Sequence, residues 1–244
     1  DTLCAEHAWY TSLPDDLTPF APQVYGFDEA AGRLELEYVG YPSLRDIHLY
    51  GSHGLHIWNR IFETLFSMLG TFADYRTDEG VKAALREMYV DKTVRRLSRV
   101  DPDSHLSHFF ADTVTVNGQD RPGVPRILDG LEASAKAAGL FDLDEFTVLH
   151  GDLCLSNVLY AVRSGIVKLI DPRGEFGQHA IYGDPRYDLA KLRHSVAGNY
   201  DFVINDMFDV TTTTDSMEYR VHRDDDHDER EQLFDQLLDQ RYPD

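Results

Sequence analysis

Along residues 55–75 the apolar side chains Trp58, Ile61, Phe62, Leu65, Leu69 and Phe72 follow a 3, 4, 7 spacing, which predicts a long amphipathic helix with one face in a core. Helical spacing also covers residues 5–13, where Ala5, Ala8, Trp9 and Leu13 precede the break at Pro14. Further helices are predicted over 81–100, ended by Asp101-Pro102, over 124–138, closed by Gly139, and over 187–198 and 231–240. Period-two alternation marks the strands. Leu34, Leu36 and Tyr38 alternate with Arg33, Glu35 and Glu37, so residues 24–28 and 33–38 are read as a hairpin turning at Gly32. A strand at 146–150 and a hairpin of 157–162 with 166–170, across Arg163-Ser164-Gly165, follow later. Residues 105–122 fit a loop or a small excursion. A helix and two strands cannot stand alone, so further strands are expected to come from outside this sequence or from another domain.

Charge changes the picture more than size does. The 23 basic and 43 acidic residues give a formal charge of −20, which disfavours unassisted binding to nucleic acid or anionic lipid. Asp supplies 30 of the acids and Lys only 5 of the bases, a surface that suits either a high-salt habitat or an ordinary acidic protein. With 42% hydrophobic residues in 244 the chain can bury one large or two modest cores, and it contains no apolar run long enough for a membrane span. Cys4 and Cys154 are too few for a disulfide framework and lack zinc spacing, so a cytoplasmic location is expected. The start at Asp1, with no leader pattern, leads to the expectation of a longer parent chain.

The informative segment is His150-Gly151-Asp152-Leu153-Cys154-Leu155-Ser156-Asn157, followed across a hairpin by Ile170-Asp171-Pro172. Three oxygen-bearing side chains are thereby predicted around one mouth. Phosphoryl transfer needs such a set: a carboxylate to orient an attacking hydroxyl and accept its proton, and hard oxygen ligands for a Mg²⁺ that bridges ATP phosphates. Asp152 suits the first role, and Asn157 and Asp171 the second. These blocks, with Gly183-Asp184-Pro185-Arg186-Tyr187-Asp188-Leu189-Ala190, resemble the aminoglycoside phosphotransferase and choline kinase family.

The resemblance implies an α+β, protein-kinase-like two-lobe fold with a truncated N-terminal β lobe: residues 1–41 would be the remainder of that lobe and its hinge, and 42–244 the helical lobe. It implies ATP and Mg as cofactors and a small-molecule acceptor with a hydroxyl, with Asp152 catalytic, and with Asn157 and Asp171 on the metal. The run Leu36-Glu37-Tyr38-Val39-Gly40 is similar to the family's hinge, so backbone groups near Glu37, Tyr38 and Val39 would hold adenine. Glu6 is placed like the family's helix glutamate, whose lysine partner has no counterpart here, since the first lysine is Lys82. Either a preceding segment carries that lysine and the Gly-rich loop, the expectation preferred here, or the site is degenerate. His150 and Asp188 would support the loop structurally.

Each residue also has a plainer reading. Asp152 or Asn157 alone could cap a helix or close a turn. Cys154 reads as a packed residue, His53 and His56 as surface residues, and Asp224 to Asp228 as a solvated charge run. The 12 residues from Pro172 to Gly183 are too few for a protein kinase's activation segment, and no Ala-Pro-Glu follows, which favours a small acceptor. Glu87, Tyr89, Lys92 and Tyr182 are its candidate wall. Arg173, two residues after Asp171, could hold an anion, or simply pair with Glu175 or Asp184. The Ile-Asp-Pro-Arg-Gly run resembles a subgroup found among capsule and surface-polysaccharide proteins, implying sugar chemistry. The alternatives are a non-catalytic, pseudokinase-like nucleotide- or partner-binding protein and, less supported, a metal-dependent hydrolase.

Overall fold

The computed structural model describes residues 2–100, 107–213 and 216–242. Its chain runs α1 (Thr2–Ser12), a 3₁₀ turn (Asp15–Phe20), β1 (Val24–Asp28), β2 (Arg33–Leu36), α2 (Leu44–Tyr50) and α3 (Leu55–Phe72). Next come β3 (Arg76–Thr77), α4 (Val81–Arg86), a π-helical turn (Glu87–Asp91), α5 (Lys92–Leu97), β4 (Thr113–Val116), β5 (Gln119–Pro122) and α6 (Val124–Ala137). The remainder is β6 (Phe146–Val148), β7 (Val158–Ala161), β8 (Ile166–Leu169), β9 (Tyr182–Gly183), α7 (Pro185–Val196), α8 (Tyr200–Ile204), β10 (Phe208–Thr212), β11 (Ser216–Val221) and α9 (His227–Arg241).

The apolar stripe read from the sequence makes α3 the centre of the core. Trp58, Ile61, Phe62, Leu65, Phe66 and Phe72 are all at most 1% exposed, and they pack with Trp9 of α1, Tyr160 of β7 and Phe234 of α9. Burial of each large apolar side chain is worth about 1.5–3 kcal/mol, so this cluster locks α1 and the β7–β8 hairpin onto the helices. That hairpin pairs Val158 with Leu169, which brings its open end, Asn157 and Ile170, together. Among the described residues no helix is long and apolar enough to cross a membrane.

Several elements depart from the sequence reading. Strand β2 stops at Leu36 rather than at residue 38: the Glu37 amide still donates to Gln23 O, but the Gln23 amide turns to the Glu37 carboxylate at 3.1 Å instead of continuing the ladder. Tyr38 is left 92% exposed. The single helix expected over 81–100 is divided by the π-turn and ends at Leu97; Asp101 and Pro102 lie outside the described residues. Between residues 105 and 122, of which 107 onward are described, β4 and β5 form a hairpin that joins β10 and β11 in a four-stranded sheet ordered β10-β11-β4-β5. The acidic run at 224–228 is built into the fold rather than simply solvated: Asp224 bonds the buried Arg230 at 2.8 Å, and His227 is 1% exposed.

Candidate active site

The loop after β6 is held from both sides. Asp188 of α7, fully buried, accepts hydrogen bonds from the backbone N–H groups of His150 at 2.7 Å and Gly151 at 2.9 Å. Burial pushes the Asp188 carboxyl up to about 7, against the pull of those two amides. The His150 ring sits between Ile170 O, 3.1 Å from Nε2, and the Asp152 amide, which donates to Nδ1 at 3.3 Å. Burial takes this ring down to about 4, so it is neutral at pH 7 and both of its nitrogens are committed to the backbone. His150 and Asp188 thus both hydrogen-bond the backbone around this loop. Gly151, at φ +81°, could carry no side chain here: a Cβ would lie 2.9 Å from Arg173 Cβ.

Asp152, Asn157 and Asp171 converge. Asn157 Nδ2 donates to Asp152 O at 2.8 Å and faces Asp152 Oδ2 at 3.4 Å, while Asp152 and Asp171 line one cavity of about 480 Å³. Asp171 has φ +54°, a conformation that aspartate tolerates better than most residues, and its amide donates to Tyr10 Oη at 3.2 Å. Burial raises the Asp171 carboxyl, and the nearby Asp152 charge raises it further. For Asp152 burial is outweighed by the hydrogen bond and charge of Lys191, with Arg173 behind it, so its carboxyl is held below the ordinary range. Lys191 Nζ lies 2.7 Å from Asp152 Oδ1. The sequence reading did not include Lys191; its signal was the three-residue spacing from Asp188, which puts both side chains on one face of α7.

The remaining candidates fall into place unequally. Glu6 lies on α1 facing Asp171; burial and then the Asp171 charge raise its carboxyl, opposed by a hydrogen bond from Tyr10. No cation lies within ion-pair distance of Glu6 among the described residues. At the hinge-like segment the Glu37 amide is spent on Gln23 O at 2.7 Å, whereas neither the Glu37 carbonyl nor the Val39 amide has a backbone partner among the described residues. Tyr38 points its side chain into solvent.

Arg173 pairs with neither Glu175 nor Asp184. Its guanidinium donates to Tyr187 Oη at 3.3 Å, lies 5.6 Å from that ring's centroid and stands 3.9 Å from Asp152 Oδ1. Of the four wall candidates only Lys92 lines the cavity. Glu87 is taken by Arg95 at 2.6 Å, the Tyr89 hydroxyl by Asp184 at 2.8 Å, and Tyr182 pairs with Val148 in the β6–β9 ladder. Cys154 is buried with its thiol pushed up to about 11, mainly by burial, and behaves as a packing residue.

The donor set fits a hard divalent ion shared with phosphates. Asn157 Oδ1 accepts from Ser156 Oγ at 3.1 Å and keeps a second lone pair for a ligand, and the Asp171 carboxyl is raised by burial and by the Asp152 charge. Among the described residues no cluster of three or more His, Cys, Asp or Glu could hold a metal. A roomier groove along Glu231, Asp235 and Asp239 of α9 offers no comparable convergence.

The chain thus forms a mixed helix-and-sheet fold with a braced loop at the mouth of its cleft. Residues 1–210 match the phosphotransferase enzyme family APH, and the chain belongs to that family. No curated protein matches the sequence. Among solved structures, an aminoglycoside-3'-phosphotransferase of type VIII is 20% identical with a TM-score of 0.45, covering 82% of this chain and 65% of that one. A glucosamine kinase is 15% identical with a TM-score of 0.46, covering 98% of this chain and 54% of that one. The chain therefore spans less than two thirds of either protein.

Proposed function

We propose that this chain carries out ATP- and Mg-dependent phosphoryl transfer to a hydroxyl of a small molecule, with a sugar or sugar derivative as the favoured acceptor. The observation that carries this reading is that Asn157 bonds Asp152 and that Asp152 shares one cavity with Asp171, at a loop braced by Asp188. Glu37 and Val39 would meet the adenine edge through the carbonyl and amide that the fold leaves unpaired. Asp171 and Asn157 would hold Mg²⁺, which when bound supplies positive charge against the phosphates. Asp152 orients the acceptor and takes the proton from its hydroxyl as the new oxygen–phosphorus bond forms and the bond from the γ-phosphorus to ADP breaks. Lys191 keeps that carboxylate ionised and fixes its rotamer through Oδ1, while Oδ2 faces Asn157 Nδ2 at 3.4 Å. The sugar preference rests on the resemblance of Ile170-Asp171-Pro172-Arg173-Gly174 noted above.

A screen of sugars and small alcohols for phosphate uptake from ATP identifies the acceptor. Asp152→Asn should then lower kcat by about 10²–10⁴-fold, the range general base catalysis supplies, with Mg-ATP binding retained. Unchanged turnover in Asp152→Asn, or ATP binding indifferent to Mg²⁺, would sink the reading.

A further inference from the structure

Resting on that function, we propose that the end of the cleft beyond Asp152 is a subsite for an anionic group of the acceptor, a phosphate or carboxylate, formed by Lys92, Arg96 and Arg173. The three cations line the same cavity of about 480 Å³ as Asp152 and Asp171. In a chain of charge −20, cations would be expected to find carboxylates, yet among the described residues neither Lys92 nor Arg96 has one within ion-pair distance. Lys92 Nζ instead lies 3.6 Å from Met88 Sδ. Its charge is disfavoured by burial and then by Arg173 and Arg96, with Glu175 and Glu87 acting the other way. Like charges four apart on one helix destabilise it slightly, so a cluster of this kind has a standing deficit that a bound anion removes.

Arg173 is already fixed to receive such a group. Its backbone amide donates to His150 O at 3.0 Å, its Cβ fills the space that Gly151 leaves, and Tyr187 holds the guanidinium by a hydrogen bond and its ring face. Gly174, at φ +66°, lets the next residue press against α1, where a Cβ would lie 2.1 Å from Ala5 O. A planar guanidinium held at two edges loses little freedom when it binds an oxyanion.

The order of parts along the cleft assigns these cations to the acceptor rather than to the nucleotide. The hinge-like segment leads into Pro42 and Ser43, which pair with Tyr160 and Leu159 of β7, and Lys168 of β8 bonds Ala21 O at 2.8 Å. A nucleotide that starts there reaches Asn157 and Asp171 at the open end of the hairpin with its phosphates. Asp152 lines the same cavity as Lys92 and Arg96 of α5, and no residue of the hinge-like segment lines it. On α4 and α5 the spacing Val81, Leu85, Met88, Lys92, Arg96 turns from apolar to cationic where the helix leaves the core.

The test is calorimetric titration of inorganic phosphate, and separately of acetate, into the protein with Mg-ADP present, repeated on Lys92→Met/Arg96→Met. Phosphate or acetate should bind the unaltered protein and bind the double variant at least tenfold more weakly, with the unfolding midpoint not lowered; the stronger of the two probes names the anion. Equal binding to both proteins, no binding of either probe to the unaltered protein, or competition of the probe with Mg-ADP would overturn the assignment. Loss of the phosphotransfer reading registers separately, as Asp171→Asn leaving Mg-ATP affinity unchanged.

Discussion

Lys191 alters the working of the cleft more than any other residue outside the recognised motifs, because it is the cation bonded to the proposed base. An ion pair half-removed from water keeps Asp152 ionised against the burial that would raise it. Lys191→Met should therefore lower kcat by about tenfold or more, on the scale of a lost charge-assisted hydrogen bond, with the KM for ATP nearly unchanged and with partial recovery in Lys191→Arg. Steady-state kinetics on the three proteins checks this. Parallel changes in kcat and both KM values, with no recovery by arginine, would make Lys191 merely structural. That Asp152, Asn157, Asp171 and His150 lie close together was legible in the sequence because it depends on spacing within one loop and its hairpin, while Asp188 of α7 was marked by the block from Gly183 to Ala190. Lys191 had only its three-residue spacing from Asp188 as a signal and Arg96 had none, because a cation on a helix becomes informative only when the fold shows what it faces.

Between elements the same distinction holds. Helix α3 was readable because burial imposed a strict apolar period, and β7–β8 because a turn separated two apolar runs. In the β10-β11-β4-β5 sheet the β4–β5 hairpin carried a signal that the sequence reading passed over, the alternation of Val114 and Val116 with Thr113 and Thr115 and a turn at Asn117-Gly118, both at positive φ, whereas β5 and Asp209 to Thr212 of β10 are exposed throughout and show no alternation. The acidic run hid a second packing site. His48 of α2 meets Trp58 of α3, Phe202 of α8 and His227 of α9 edge-on or tilted, with ring centroids 5.2–5.7 Å apart, and Arg230 stacks over Trp58. Burial first, then Arg230 and His227, lowers His48 to about 3. The unfolded chain takes up that proton near the ordinary value of 6.5, so between these limits it binds more protons than the folded chain and stability falls as pH falls. Relative to His48→Phe, the unaltered protein should lose up to about 1.4 kcal/mol per pH unit below that value, measured by urea unfolding from pH 7.5 to 5. Asp188 and Asp201, raised to about 7 and about 6 chiefly by burial, act in the opposite direction and cancel in this difference. A difference that stays constant with pH would refute the account.

For the whole molecule the controlling quantity is charge. Its ion pairs are mostly exposed, as in Arg76–Glu145, Lys82–Asp144 and Arg223–Asp228, and such pairs are worth about 0–1 kcal/mol each. Salt weakens them, but it also screens the self-repulsion of a net charge of −20. Twenty uncompensated carboxylates outweigh a modest set of weak pairs, so the net sign favours stabilisation. Raising NaCl from about 0.01 M to about 1 M shortens the screening length from about 30 Å to about 3 Å, and the thermal unfolding midpoint should rise across that range. A rise complete by about 0.3 M marks simple screening, whereas a rise continuing to molar salt marks adaptation to a saline habitat. A flat or falling midpoint would show that the pairs dominate after all. The cluster of Lys92, Arg96 and Arg173 should respond with the opposite sign, because screening weakens its hold on phosphate while the fold around it grows firmer. Opposed salt slopes for unfolding and for phosphate binding, measured on one preparation, would separate the repulsion spread over the surface from the attraction concentrated in the cleft.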